Sequence, residues 1–284
     1  MGLLHIEEYL RPASLEEAFR LKRAGGERAA YVGGGVSLVL FAPEVKTLVD
    51  LSRVPLDGIH SDKGGVRIGA SAPMREVLDS PILQTYLGGI VPRMLREVAS
   101  PLLRNVATVG GTLVAANPWS DVIPVLLSLD AEVTLFDGKS RTIPLANLFP
   151  VRHHLGDALL TEVRLPPAPA HGAASFVKFG RTRFDVAMLN VACAVTAEKG
   201  RCSKARVVVG GRPDLAARAP KVEEVLVGAE FSPKTIAAAA DVAAKTVEVR
   251  EDRRASAEYR KELVEVGVRR ALTEARARLA EGSR

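Results

Sequence analysis

Between Arg104 and Leu126 the chain reads RNVATVGGTLVAANPWSDVIPVL. A glycine pair, a turn proline, the only tryptophan and a lone aspartate lie there between two apolar runs. The stretch outruns the roughly 4–6 residues of an ordinary connection. The chain must therefore fold around it, with packed elements on either side. YVGGGVSL (Tyr31–Leu38) imposes a similar constraint: a short strand-like run meets three glycines and then a helix start.

The flanking patterns define the elements. Ser14 and Glu17 form a capping box, after which Leu15, Ala18 and Phe19 give one apolar stripe and Gly25-Gly26 ends the helix. Ala29–Val32, Thr47–Leu51 and Val66–Ala70 read as strands, so the first part forms a small α/β unit. Helical segments are expected around Pro92–Val98 and Ile123–Leu129, and strands at Glu132–Phe136 and Leu159–Leu165. PPAPAHG (Pro166–Gly172) reads as a linker and divides the chain into domains 1–170 and 171–284. Beyond it come strands at Ser175–Phe179, Leu189–Thr196 and Ala205–Val209, then helices at Thr235–Val249 and Ser256–Glu281. In the last helix Val264, Val268, Ala271, Leu272, Ala275 and Leu279 follow a 3.6-residue period. Strands followed by helices indicate an α+β fold.

Composition excludes several classes. No apolar run approaches the roughly 20 residues of a membrane span, and the acidic N-terminal stretch lacks the pattern of a secretory signal. A cytoplasmic protein is expected. Two cysteines, Cys193 and Cys202, are too few for an iron–sulfur cluster and read as core thiols. His5, His60, His153, His154 and His171 show no zinc-ligand spacing, so no metal site is expected. Residues 1–150 carry 15 Lys+Arg against 16 Asp+Glu and residues 151–284 carry 24 against 17, so the net +6 arises in the second half. Those cations alternate with glutamates along helical patterns, and aromatic residues are 5% of the chain. A solvated helix face that docks an acidic partner accounts for this better than a nucleic-acid surface.

The glycines of Tyr31–Leu38 allow backbone N–H groups to turn inward near a helix N-terminus, an arrangement that favours phosphate; a plain tight turn is the alternative. Neither a Walker loop nor G-x-G-x-x-G spacing is present. Thr108-Val109-Gly110-Gly111 reads as a second glycine turn with a hydroxyl beside it, and a pyrophosphate has two phosphates to satisfy. Ser120 and Asp121 follow a turn proline; Asp121 is either the N-cap of the next helix or an acceptor for a sugar-like hydroxyl.

These segments, together with DALLTEVRLP (Asp157–Pro166), SFVKFGRTRFDVAM (Ser175–Met188) and SAEYRKELVEVGVRRAL (Ser256–Leu272), resemble the FAD-binding subunit of the molybdenum hydroxylases. That family includes xanthine dehydrogenases, aerobic carbon monoxide dehydrogenases and aldehyde oxidoreductases, and the resemblance runs in order along nearly the whole chain. It implies a p-cresol methylhydroxylase-like FAD-binding domain followed by an antiparallel sheet packed with helices. It further implies that Tyr31, Val32, Gly33, Gly34, Gly35, Val36, Ser37 and Leu38, with Thr108, Val109, Gly110, Gly111 and Thr112, wrap the FAD pyrophosphate. Asp121, beside Ser120, would bind a cofactor hydroxyl, and Leu160 and Lys178 would lie near the flavin end. Val98 stands where some members place an aromatic against the flavin, and Val36 where many have threonine. Backbone contacts are untouched by either difference, so FAD binding is expected. The implied partners are a small subunit with two [2Fe–2S] clusters and a large molybdopterin subunit. The acceptor would be NAD, oxygen or quinone, and no catalytic side chain is required of this chain because the flavin carries the chemistry. The rival readings are a self-sufficient flavin oxidoreductase and a non-catalytic assembly partner.

Overall fold

A computed structural model describes residues 6–41, 44–151 and 155–282. His5, His153 and His154 lie outside the described residues. The chain divides into two compact units, neither continuous in sequence: Met1–Ser80, Ser100–Ala115 and Ala131–Leu165 in the first, and Pro81–Ala99, Ala116–Asp130 and Pro166–Arg284 in the second.

The first unit contains two sheets. Strands β1 (Glu8–Leu10), β2 (Ala29–Val32) and β3 (Thr47–Asp50) form a parallel sheet in the order β1-β3-β2. Helices α1 (Leu15–Gly25) and α2 (Val36–Phe41) connect them in the strand–helix–strand manner that parallel pairing requires. Ser14 Oγ accepts from Glu17 N at 3.1 Å, and Glu17 reaches back to the N–H of Ala13 rather than that of Ser14. Ser14→Ala is therefore expected to cost about 1 kcal/mol in a denaturant titration, and an unchanged midpoint would count against the cap.

The larger sheet is antiparallel, in the order β4-β5-β8-β6-β7, from β4 (Ile59–Asp62), β5 (Gly65–Gly69), β6 (Glu132–Phe136), β7 (Ser140–Pro144) and β8 (Leu159–Leu165). Val133 and Leu135 are buried while Glu132 and Thr134 are half-buried, the alternation of a sheet with one covered face. Phe19 of α1 meets Phe136 edge-on at 5.6 Å. Four short helices complete the unit: α3 (Met74–Asp79), α6 (Pro101–Val106), α7 (Val109–Ala115) and α9 (Leu145–Val151).

The second unit is built on an antiparallel sheet in the order β12-β11-β10-β9, from β9 (Gly172–Phe179), β10 (Leu189–Glu198), β11 (Arg201–Gly210) and β12 (Ala217–Arg218). Helices α4 (Pro81–Thr85), α5 (Ile90–Leu95), α8 (Val122–Ser128), α10 (Pro220–Leu226), α11 (Pro233–Thr246) and α12 (Ala257–Gly282) complete it. The expected stripe of α12 is its core face: Val264, Val268, Ala271, Leu272 and Ala275 are fully buried and Leu279 packs beside them. Each fully buried Val or Leu contributes roughly 1.5–3 kcal/mol. At Gly267 a Cβ would lie 2.8 Å from Val191 Cγ2, so glycine allows the helix to approach the sheet closely. The architecture is α+β with antiparallel sheets and one small parallel sheet.

Two expectations are corrected. Val109–Ala115 is a helix, so Gly110 and Gly111 form its first turn rather than a glycine loop. The helix expected around Pro92–Val98 ends at Leu95; Val98 N donates to Leu95 O in a turn, and Ala99 takes φ +51°.

Candidate functional site

The two glycine-rich segments meet within the first unit. An isolated bridge pairs Pro73 with Thr108, and Met74 N donates to Ala107 O. A Cβ on Gly33 would fall 2.8 Å from Thr108 Oγ1, and one on Gly34 only 1.7 Å from Val106 O. At Gly34 the obstacle is backbone, so glycine is required there; at Gly33 it is the Thr108 hydroxyl, which would have to turn aside. Gly35 takes φ +71°, a second reason for glycine in that run.

Their hydrogen bonds distinguish the segments. In α7 the N–H groups of Val109 and Gly110 donate to Ala72 O and Ala70 O, that of Gly111 to Thr108 Oγ1, and that of Thr112 to Thr108 O. The Thr112 hydroxyl also donates to Thr108 O. In the first segment Val39 N donates to Gly35 O, but the N–H groups of Gly34, Gly35, Val36, Ser37 and Leu38 find no acceptor among the described residues. They form a run of consecutive free donors at the start of α2, suited to an anion. Tyr31 faces elsewhere: its hydroxyl donates to Asp157 O at 2.9 Å, and burial pushes its phenol well above the usual range. Val32 ends β2, and Leu160 is buried in β8 opposite Leu135.

The remaining candidates lie in the second unit. Lys178 on β9 and Asn190 on β10 face each other in register, so their side chains share one face. Both reach Asp121: Lys178 Nζ lies 2.9 Å from Oδ2 and Asn190 Nδ2 donates to Oδ1 at 2.7 Å. Asn190 also donates to Ser120 O, and Lys178 to Glu97 O beside Val98. Asp121 and Lys178 are nearly excluded from solvent, with side-chain exposures of 6% and 4%. Burial raises the Asp121 carboxyl above its usual range, and Lys178 and Asn190 oppose that shift. Asp121 occupies the N-cap position of α8 as expected, but its side chain caps no N–H; Ser120 Oγ instead accepts from Ile123 N at 3.4 Å.

Several residues here carry no local signal in the sequence. Asn190 enters only through strand register, and its space exists because residue 210 is glycine; a Cβ there would lie 2.3 Å from Asn190 Oδ1. Arg254 stacks over Trp119 with Cζ 5.1 Å from the ring centroid. Arg254 also pairs with Asp252, which accepts from the fully buried Arg260. Burial alone would raise the Asp252 carboxyl, but hydrogen bonds from Arg260 and from the N–H groups of Arg254 and Ala255 hold it at about 2. Cys193 and Cys202 are free buried thiols, and burial pushes Cys193 up to about 12. No metal-binding cluster occurs among the described residues. No described helix is long and apolar enough to cross a membrane.

Free donors at a glycine turn suit an anion, and comparison with known proteins identifies the class. Residues 4–168 match the profile of the FAD binding domain in molybdopterin dehydrogenase, and residues 174–275 match that of the CO dehydrogenase flavoprotein C-terminal domain. The chain belongs to the family of medium, FAD-binding subunits of the molybdopterin hydroxylases, the carbon monoxide dehydrogenase and xanthine oxidase class. It is 34% identical to the 6-hydroxypseudooxynicotine dehydrogenase complex subunit alpha of Paenarthrobacter nicotinovorans, covering 94% of each chain. It is 28% identical to the carbon monoxide dehydrogenase medium chain of Hydrogenophaga pseudoflava, over 96% of this chain and 98% of that one. A solved carbon monoxide dehydrogenase from H. pseudoflava that lacks the Mo-pyranopterin moiety superposes with a TM-score of 0.90 at 29% identity, covering 98% of this chain and 99% of that one.

Proposed function

We propose that this chain is the FAD-carrying electron-transfer subunit of a molybdenum hydroxylase, receiving electrons from [2Fe–2S] clusters on a small partner subunit. A large molybdopterin subunit would oxidise the substrate, and the acceptor would be NAD, oxygen or quinone. When bound, FAD supplies the ability to exchange electrons singly with an iron–sulfur centre and in pairs with an acceptor. The observation that carries the reading is the run of free N–H donors from Gly34 to Leu38, which fits the cofactor's pyrophosphate.

In this reading the Tyr31–Leu38 backbone binds phosphate together with Thr108–Thr112, and that turn is held in shape by Thr108 against Gly33 and by the Val106–Ala107 backbone against Gly34. Ser120 and Asp121 fix cofactor hydroxyls. Val98, Leu160 and Lys178 lie toward the flavin. Residues 1–170 form the FAD-binding domain, of p-cresol methylhydroxylase type, and residues 171–284 the flavoprotein C-terminal domain. The assembly is a cytoplasmic heterotrimer or a multiple of it.

The test is the visible absorption spectrum of the purified chain after FAD is added and the excess removed by gel filtration. A retained flavin spectrum, released as FAD on denaturation, is expected. A chain that holds no flavin, alone or with its iron–sulfur and molybdenum subunits, would sink the proposal.

A further inference from the structure

The second unit contains a cavity of about 290 Å³ lined by none of the residues assigned above to the cofactor. Its polar lining comes from three arginines, Arg93, Arg96 and Arg183, the last with its guanidinium over the Phe184 ring at 5.5 Å, and from two glutamates, Glu97 and Glu274. Glu274 is already engaged: it faces Arg93 Nη1 at 3.4 Å and accepts from Arg278 Nη2 at 2.7 Å and Nε at 3.0 Å. Arg96 and Arg183 make no ion pair among the described residues, so the cavity keeps a positive excess over Glu97.

Arg93 adds a second observation. Its Nη2 donates to Ala174 O at 2.9 Å, while its buried Nε has no hydrogen-bond partner. That Nε is shut off from solvent, and a ligand would meet Arg93 through the exposed part of its guanidinium, the side chain being 23% exposed. Guanidinium forks match the oxygens of phosphate and carboxylate. Phosphate suits this wall better than carboxylate, because three oxygens can be shared among three guanidinium groups. The volume is near the roughly 300 Å³ lower bound for ligand pockets, so a small ligand, or one end of a larger one, would fill it.

We propose that this cavity binds the phosphate group of a small ligand between Arg96 and Arg183, with Arg93 completing the donor set. Lys178, assigned above to the flavin end, donates to the carbonyls of Glu97 and Arg183, so flavin retention is read separately from phosphate binding in each variant and the two readings stay distinguishable. Calorimetric titration of the full chain, in phosphate-free low-salt buffer with saturating FAD, tests it with inorganic phosphate and with adenosine monophosphate. Saturable binding is expected, weakened about tenfold or more in each of Arg96→Ala and Arg183→Ala, the scale of losing one charged hydrogen bond. Both side chains are on exposed residues, so the variants should fold; matched melting curves and flavin spectra would confirm that. Tighter binding of the nucleotide assigns the site to a nucleotide ligand, and tighter binding of phosphate to the free ion. No saturable binding, or binding equally strong in both variants, overturns the proposal.

Discussion

Gly34→Ala is expected to abolish flavin retention and to destabilise the first unit by roughly 3 kcal/mol or more, at the upper end for overpacking. The new methyl would lie 1.7 Å from Val106 O and 2.5 Å from Val106 C, both backbone atoms that cannot rotate away. Relief requires α6 and the turn after it to separate from the glycine run, moving the free donors of Gly34–Leu38. Gly26→Ala is the comparison: its Cβ meets nothing within 4 Å, but φ +56° with ψ −138° strains any L residue, so it should lose stability while keeping flavin. Denaturant midpoints and flavin absorbance measure both. A Gly34→Ala protein with wild-type stability and bound flavin would show that the close approach has no such role.

Lys178→Met should cost about 3–5 kcal/mol at neutral pH, the penalty for leaving one member of a buried ion pair without its partner. Asp121 would remain, nearly excluded from water, with Asn190 as its remaining partner. Its carboxyl is already raised by burial and would rise further without the lysine. A carboxyl raised in the folded state favours folding at low pH and loses that contribution as pH rises through the folded value. The deficit of the variant should therefore shrink on acidification, as Asp121 becomes protonated. Replacing both partners with apolar residues, Lys178→Met with Asp121→Leu, should recover much of the loss. A deficit independent of pH would indicate lost packing rather than an orphaned charge.

The sequence makes one kind of information legible and hides another. Short-range patterns survive folding unchanged: the apolar period of α12 became its core face, and Ser14 became a cap. Long-range pairing is different. Gly110 and Val109 read as a turn because glycine disfavours helix. They are helical because the carbonyls of Ala70 and Ala72, far upstream, take the N–H groups of that first turn. Asn190 reaches Asp121 through β9–β10 register, and Arg254 finds Trp119 across 135 positions; neither spacing leaves a local trace. The glycines of the first segment were visible, but the crowding by Val106 O that makes Gly34 irreplaceable was not.

The interleaving of the two units has a consequence for synthesis on the ribosome. All of α8 is buried, and its packing partners in the second unit include β10 and β11, which end only at Gly210. At about 5–20 residues per second, that leaves α8 waiting roughly 4–16 seconds for its covering strands. The first unit needs nothing beyond Leu165, so its last strand has been made well before β11 emerges. A nascent chain of this protein would thus carry a finished module beside an uncovered apolar helix. That interval is when a holding chaperone would bind, and slowing translation between Leu165 and Gly210 would lengthen it.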